Sequence, residues 1–89
     1  MINFAMYKVY VIQSKADHRL YVGLTKDVKR RVSEHNSGYV FSTKGFRPWR
    51  LVYVENVGDR KMARVREKYL KSGCGKEFLK LKYSGVAQW

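Results

Sequence analysis

The chain has 89 residues, 45% apolar and 15% aromatic, which is enough to bury a core and excludes a disordered chain. Its 19 Lys and Arg against 7 Asp and Glu give a formal net charge of +12, which favours nucleic acid as the partner over an anionic membrane surface. The single cysteine excludes an internal disulfide and a cysteine metal cage, which suits a reducing cytoplasm. The sequence shows neither a signal peptide nor an apolar run long enough to span a membrane. We therefore expect one cytoplasmic domain over 1–89.

Two strands joined as a hairpin are predicted at the start of the chain. The stretch "YKVYVIQS" (7–14) alternates and is rich in β-branched and aromatic residues, and "HRLYVG" (18–23) repeats the pattern after the polar "SKAD". A four-residue turn between them would place Tyr10 directly opposite Tyr21. Directly opposed residues point to the same face of a sheet, so the two phenol rings would be neighbours.

The next element is a helix predicted over about 26–36, with Thr25 as its N-cap and Asp27 favouring its positive end. The stop signal "NSG" follows it. Residues 37–48 contain two Gly and the single Pro, which predicts a long loop. The aromatic residues of that loop could stack on bases or form a flap over the core.

A third strand is predicted over 49–56, a second helix capped by Asp59 over about 60–72, and a short third helix over 76–83 after the break "GCG". The order ββαβαα indicates an α/β fold. We expect a small sandwich with a three-stranded, mostly antiparallel sheet flanked by helices.

One face of the first helix carries Val28, Arg31, Val32 and His35, which mixes two core residues with two polar ones. Burying an unpaired charge is costly, so Arg31 needs a partner. That partner could be a protein carboxylate or a substrate phosphate, which the planar guanidinium grips at two oxygens. His35 could exchange a proton, orient a phosphate, or be a hydrogen-bonded edge histidine. The candidate carboxylates are Asp27, Glu34, Glu55 and Glu67.

Glu67 is the only carboxylate inside the strongly basic second helix, and it borders that helix's apolar arc. A carboxylate there is a good hard-oxygen ligand for Mg²⁺ or Mn²⁺. The alternative is a surface ion pair with Arg64 or Lys71.

Tyr10 and Tyr21, facing each other beside an arginine, form the third candidate group. Nearby cations are expected to lower the pKa of a phenol, so that it can take a proton from water. A phenolic base, a phosphate-binding arginine and a metal-binding carboxylate are together the groups needed to hydrolyse a phosphodiester.

These segments resemble the GIY-YIG nuclease domain, closest to its short stand-alone members, over about 7–80. The resemblance rests on "KVYVI", the spacing from Tyr10 to Tyr21 in "YVG", "KRRVSEH" and "RVREKYLKSG". It implies a small α/β nuclease fold, one divalent metal ion, and in-line hydrolysis with a motif tyrosine as base.

Carried over by residue, the resemblance places the family's catalytic arginine on Arg31, its following histidine on His35 and its metal-binding glutamate on Glu67. The chain departs from the pattern at Lys8, where the first motif has glycine. It also has no asparagine after Asn56, whereas many family members carry one about 12–15 residues beyond the glutamate.

The sequence thus predicts a metal-dependent endonuclease acting on structured or single-stranded DNA, with RNA a second candidate and DNA repair or recombination its process. The alternatives are a catalytically weak nucleic-acid-binding domain on the same fold and a basic protein of a ribonucleoprotein. The oligomeric state stays open between monomer and homodimer. The residues predicted to contact nucleic acid are Lys26, Arg30, Lys44, Arg47 and Arg64.

Overall fold

A computed structural model describes residues 6–84 and shows a three-stranded sheet with helices on both faces. The predicted fold class is confirmed. None of the helices in this part of the chain is long and apolar enough to cross a membrane. The elements are β1 (Tyr7–Ser14), β2 (Leu20–Thr25), α1 (Val28–Ser37), α2 (Phe41–Lys44), β3 (Trp49–Gly58), α3 (Arg60–Lys71), α4 (Gly73–Leu79) and a π-helical turn (Lys80–Ser84).

The strand order is β2-β1-β3 and both pairings are antiparallel, so β1 is central and β2 is an edge strand. Because side chains alternate along a strand, β1 contributes to two separate cores. Val9 and Val11 face α3 and α4, whereas Tyr10 and Ile12 face α1 and α2. The sheet therefore lies between two helical layers.

The predicted register of the hairpin is wrong by two residues. Tyr10 lies opposite Gly23, and Tyr21 lies opposite Ile12. The cause is the turn, where His18 adopts a left-handed φ of 67° and ends the pairing before β2 begins. Since a shift of two keeps every side chain on its own face, Tyr10 and Tyr21 still lie on the same side.

Helix α1 begins two residues later than predicted, with Asp27 as its N-cap in place of Thr25. The Asp27 carboxylate accepts a hydrogen bond from the Arg30 amide at 3.1 Å. Thr25 cannot cap the helix because it is still paired with Lys8 in the sheet. The helix ends at Gly38, whose φ of 86° suits glycine.

The remaining boundaries differ at three places. The predicted loop contains the short helix α2, and β3 continues to Gly58. The Asp59 cap of α3 is confirmed by its bond to the Met62 amide at 2.9 Å. The break before α4 falls at Ser72, so the predicted break over 73–75 is wrong. Gly75 instead permits the close packing of α4 on α3, since a Cβ there would lie 2.6 Å from the Cα of Leu70.

Candidate active site

The side chain of Tyr10 crosses the edge strand at Gly23. A Cβ atom added at Gly23 would lie 2.6 Å from Cζ of Tyr10 and would overlap its hydroxyl group. Glycine at this position of β2 therefore leaves the space in which the phenol lies. The hydroxyl is carried from the central strand to the edge of the sheet.

A chain of buried hydrogen bonds begins at that hydroxyl. The Tyr10 oxygen lies 2.8 Å from Nε2 of His35, and Nδ1 of His35 lies 2.8 Å from Oγ1 of Thr43. Thr43 Oγ1 in turn donates to the Val40 carbonyl at 3.3 Å, so its oxygen is free to accept from Nδ1–H. This pattern assigns the proton to Nδ1 and leaves Nε2 to accept from the phenol.

Burial lowers the pKa of His35 to about 4, and the neighbouring Arg31 guanidinium lowers it further in the same direction. The imidazole is therefore neutral at pH 7. Burial likewise raises the pKa of Tyr10 to about 12, against the opposing effect of Arg31. The expectation that cations lower the pKa of this phenol is wrong, because loss of solvation outweighs them. Tyr10 is a neutral hydrogen-bond donor.

Of the two predicted partners for Arg31, a protein carboxylate or a substrate phosphate, the structure shows the carboxylate. Its Nη1 donates to Oε1 of Glu34 at 2.8 Å, and its side chain remains 33% exposed. This contact raises the pKa of Arg31, and it is the main cause of the lowered pKa of Glu34. The guanidinium also lies near enough to the Tyr10 hydroxyl to oppose the rise of its pKa, while one nitrogen is held by Glu34.

A cleft of about 350 Å³ opens beside Arg31, between the start of α1 and the start of α3. Four cations and two carboxylates contribute to its lining, which leaves it positive. A phosphate group would be attracted to this cleft. The charged residues around it are Lys26, Asp27, Arg30, Arg31, Glu34 and Arg60.

Glu67 lies on α3 with a side chain only 15% exposed, and its Oε2 accepts from Lys71 Nζ at 3.2 Å. The predicted alternative of a pair with Lys71 is therefore present, although the carboxylate is mostly enclosed. Its charge contributes to the raised pKa of Tyr10, after burial and the Tyr21 phenol, which places it near the hydroxyl. The Lys71 ammonium lies 5.8 Å from the ring centre of Tyr21.

The Glu67 carboxylate could hold a divalent cation as its single protein ligand. Within residues 6–84, no three His, Cys, Asp or Glu side chains converge on one point. Water and substrate phosphate would supply the remaining ligands, as Mg²⁺ commonly accepts. Glu67 offers hard oxygens for this role near the neutral Tyr10 phenol.

Comparison with known proteins identifies this arrangement. Residues 6–80 match the GIY-YIG catalytic domain. The chain belongs to the GIY-YIG family. This family comprises endonucleases, which generally depend on a divalent metal ion. The predicted resemblance is confirmed.

Among the relatives are small proteins named UPF0213. That of Haloquadratum walsbyi is 43% identical over 65 residues, covering 72% of each chain. That of Desulfotalea psychrophila is also 43% identical over 65 residues, covering 71% of this chain but 58% of its own length. The structure-specific endonuclease subunit SLX1 of Scheffersomyces stipitis is 40% identical over 57 residues, covering 56% of this chain and 17% of its own.

A solved structure agrees with the fold. The solution NMR structure of a UPF0213 protein from Bacillus halodurans is 34% identical to this chain. The superposition gives a TM-score of 0.52 and covers 90% of this chain and 87% of the other.

The structure brings together most of the predicted site residues of this GIY-YIG domain. Tyr10 and His35 are hydrogen-bonded, and the Arg31 and Glu67 charges both act on the pKa of Tyr10. The Tyr21 ring packs edge-on against the His35 ring at 5.0 Å between centres, so this tyrosine supports the histidine.

The predicted nucleic-acid contacts divide into two groups. Lys26 and Arg30 line the cleft, and Arg64 lies one helical turn before Glu67 on α3. Lys44 and Arg47 lie at the opposite end of α1, roughly 15 Å away by the helix rise. Arg47 lies over Gly38 and donates to the Lys44 carbonyl at 2.8 Å.

The sequence did not indicate two residues that contribute to the candidate site. Arg60 lines the cleft, and its spacing to Arg64, Glu67 and Lys71 on one helical face could have indicated it. Thr43, the partner of His35, falls in a predicted loop with no periodic pattern, so no sequence signal indicated it.

The structure shows what occupies the region where many family members carry an asparagine after the glutamate. Leu79 stands where the predicted spacing begins, and it is buried in the aliphatic core. On α4, Lys76 lines a groove together with Tyr21 and Lys71.

Proposed function

We propose that this GIY-YIG chain is a divalent-metal-dependent endonuclease that hydrolyses phosphodiester bonds of structured or single-stranded DNA, with RNA as the second candidate substrate. The observation that supports it most is the buried Tyr10–His35 hydrogen bond, in which the Tyr10 phenol is under the influence of both the Arg31 and the Glu67 charge. Burying an imidazole and a phenol has a desolvation cost that an apolar pair in the same place would not have, which favours a functional role for this pair. Repair or recombination of DNA is the process we propose for it, as a monomer or homodimer.

In this mechanism Tyr10 and His35 act as one proton acceptor. As an attacking water gives its proton to the Tyr10 oxygen, the phenol gives its own proton to Nε2 of His35. The neutral imidazole is available for this at pH 7 because its pKa is about 4. Its low basicity means that the transfer proceeds only as negative charge develops on the phosphate.

Arg31 stabilises that developing charge. Its side chain keeps one nitrogen on Glu34, which fixes the plane of the guanidinium, while other N–H groups face Tyr10 and the cleft. A donor held in position before the reaction costs no reorganisation when charge appears. Lys26, Arg30 and Arg64 would hold the flanking phosphates.

Glu67 would hold one Mg²⁺ or Mn²⁺ ion, with Lys71 released from the carboxylate to a phosphate. When bound, such an ion supplies Lewis-acid stabilisation of the leaving oxygen.

A catalytically weak nucleic-acid-binding domain is the second candidate. The Arg31–Glu34 ion pair and the missing asparagine favour it. In that case the same basic cleft would bind phosphate without cleaving it.

Cleavage assays separate the two proposals. Nicked, branched and single-stranded DNA and RNA are incubated with Mg²⁺, Mn²⁺ or EDTA. We expect metal-dependent cleavage that falls about 10²- to 10³-fold in Arg31→Ala and Glu67→Gln, as loss of one charge-stabilising group does elsewhere. Glu55→Gln is the matched control, because Glu55 also pairs with a cation of α3 but lies on β3. Equal trace activity in all four proteins would reject the nuclease.

A further inference from the structure

The segment between α1 and β3 presents two aromatic rings to solvent. Tyr39 is 76% exposed and Phe41 is 92% exposed. Within residues 6–84, neither ring has a stacking or cation partner. Phe46, in the same segment, packs against the core and carries the Arg19 guanidinium 3.5 Å above its ring. The aromatic residues therefore divide into one that covers the core and two that are free.

The base of this segment is firmly attached. Trp49 Nε1 donates to the Thr43 carbonyl at 2.8 Å, and Ser14 Oγ donates to the Phe46 carbonyl at 2.7 Å. The Thr43 hydroxyl is bonded to His35 in the interior. The fold thus holds the rings of Tyr39 and Phe41 outward on an anchored segment.

The segment that carries the exposed rings also carries cations. Lys44 lies on the same short helix as Phe41, and the Arg47 guanidinium lies beside Gly38, the residue before Tyr39. An apolar protein partner would meet these charges unfavourably. A phosphate-bearing strand would place its bases on the rings and its backbone on the cations.

We propose that Tyr39 and Phe41 form a stacking platform for unpaired bases, so that this chain engages a single-stranded segment of nucleic acid. The platform connects to the site through Thr43, which lies two residues after Phe41 and is bonded to His35. A strand stacked on the platform would continue towards Tyr10. Only the delivery of that strand to Tyr10 rests on the proposed nuclease function.

The test is binding of the full chain in EDTA to a labelled single-stranded DNA oligonucleotide, the same sequence as RNA, and a blunt DNA duplex. We expect Phe41→Ala and Phe41→Leu both to weaken single-strand binding about 5- to 100-fold, while Phe41→Tyr stays within about twofold. Duplex binding stays unchanged. Tyr69→Ala removes an exposed ring from α3 on the other side of the sheet and serves as the matched control. The DNA and RNA arms show which strand the platform prefers.

Salt dependence separates stacking from charge. Phe41→Ala should leave the slope of log affinity against log salt unchanged, whereas Lys44→Ala should reduce it by about 0.7. Full binding by Phe41→Leu, equal losses on duplex, or an equal loss in Tyr69→Ala would each overturn the platform. Because EDTA removes cleavage from the measurement, a protein that binds through the platform yet never cleaves rejects the nuclease proposal alone.

Discussion

The face of the sheet beneath α3 and α4 is aliphatic, whereas the face beneath α1 and α2 holds aromatic rings and buried polar groups. On the first face the buried core consists of side chains that cannot hydrogen-bond, together with partly buried neighbours. On the second, Tyr10, His35 and Thr43 are all buried and joined by hydrogen bonds. The aliphatic core residues are Val9, Val11, Val22, Ala63, Leu70 and Leu79.

The difference indicates a division of labour within a small domain. Burial of apolar area stabilises the fold without directional demands, so the aliphatic face supplies stability. Buried polar groups must all be satisfied, and each restricts its neighbour to one geometry. The aromatic face therefore contributes orientation of Tyr10 and His35 more than free energy of unfolding.

The largest expected effect comes from breaking the aliphatic face. Leu70→Ala removes a fully buried side chain and should lower the free energy of unfolding by about 2–5 kcal/mol. The pKa of His35, set on the other face, should not change. Urea denaturation and NMR titration of the imidazole measure the two quantities. Val65→Ala, at a position 66% exposed on the same helix, is the control and should cost less than about 0.5 kcal/mol. Equal losses in both variants would contradict a core on this face.

The second effect tests the polar face through pH. Because the pKa of His35 falls from 6.5 to about 4 on folding, the unfolded chain binds more protons between these values. Stability is therefore fully present above pH 6.5 and is lost as pH falls towards 4, by an amount on the order of 3 kcal/mol. Urea denaturation at a series of pH values measures it.

The slope above pH 4.5 is the informative part, since it precedes most carboxylate titration. His35→Asn should remove it, whereas His18→Asn, at an exposed turn position, should leave it intact. A slope that survives His35→Asn would show that the imidazole is not the buried neutral group.

Much of the fold follows from local pattern. The strands, the Asp59 cap and the two long helices come from alternation and periodicity, which short-range sequence carries. The hairpin register could not be predicted from local pattern, because it depends on the left-handed backbone at His18, a residue with no strong turn signature. Helix α2 was missed because four residues are too few to show a period.

The candidate site was predictable in its residue types and less so in its chemistry. An arginine and a histidine on a core stripe, and a lone carboxylate in a basic helix, stood out from their surroundings. The protonation state of Tyr10 could not be predicted, because it depends on how deeply β2 and α1 bury the ring. The partner of His35 is fixed only by tertiary packing of α2 on α1.

The smallest effect tests that partner. Thr43→Val keeps the shape of the side chain but removes the hydroxyl, leaving Nδ1–H of His35 without its acceptor. An unsatisfied buried donor costs about 1–3 kcal/mol, so the free energy of unfolding should fall by that amount. The imidazole can recover part of it by moving its proton to Nε2, which would then donate to the Tyr10 oxygen. NMR chemical shifts of the ring nitrogens report this change of tautomer.

Thr43→Ser restores the hydroxyl and should restore the original tautomer, even if it loses some packing. If the proposed proton transfer is right, Thr43→Val should also reduce the rate constant for cleavage more than the affinity for substrate, since Nε2 no longer accepts from Tyr10. An unchanged tautomer in Thr43→Val would show that Tyr10 alone orients His35. The hydroxyl of Thr43 would then serve only the attachment of α2.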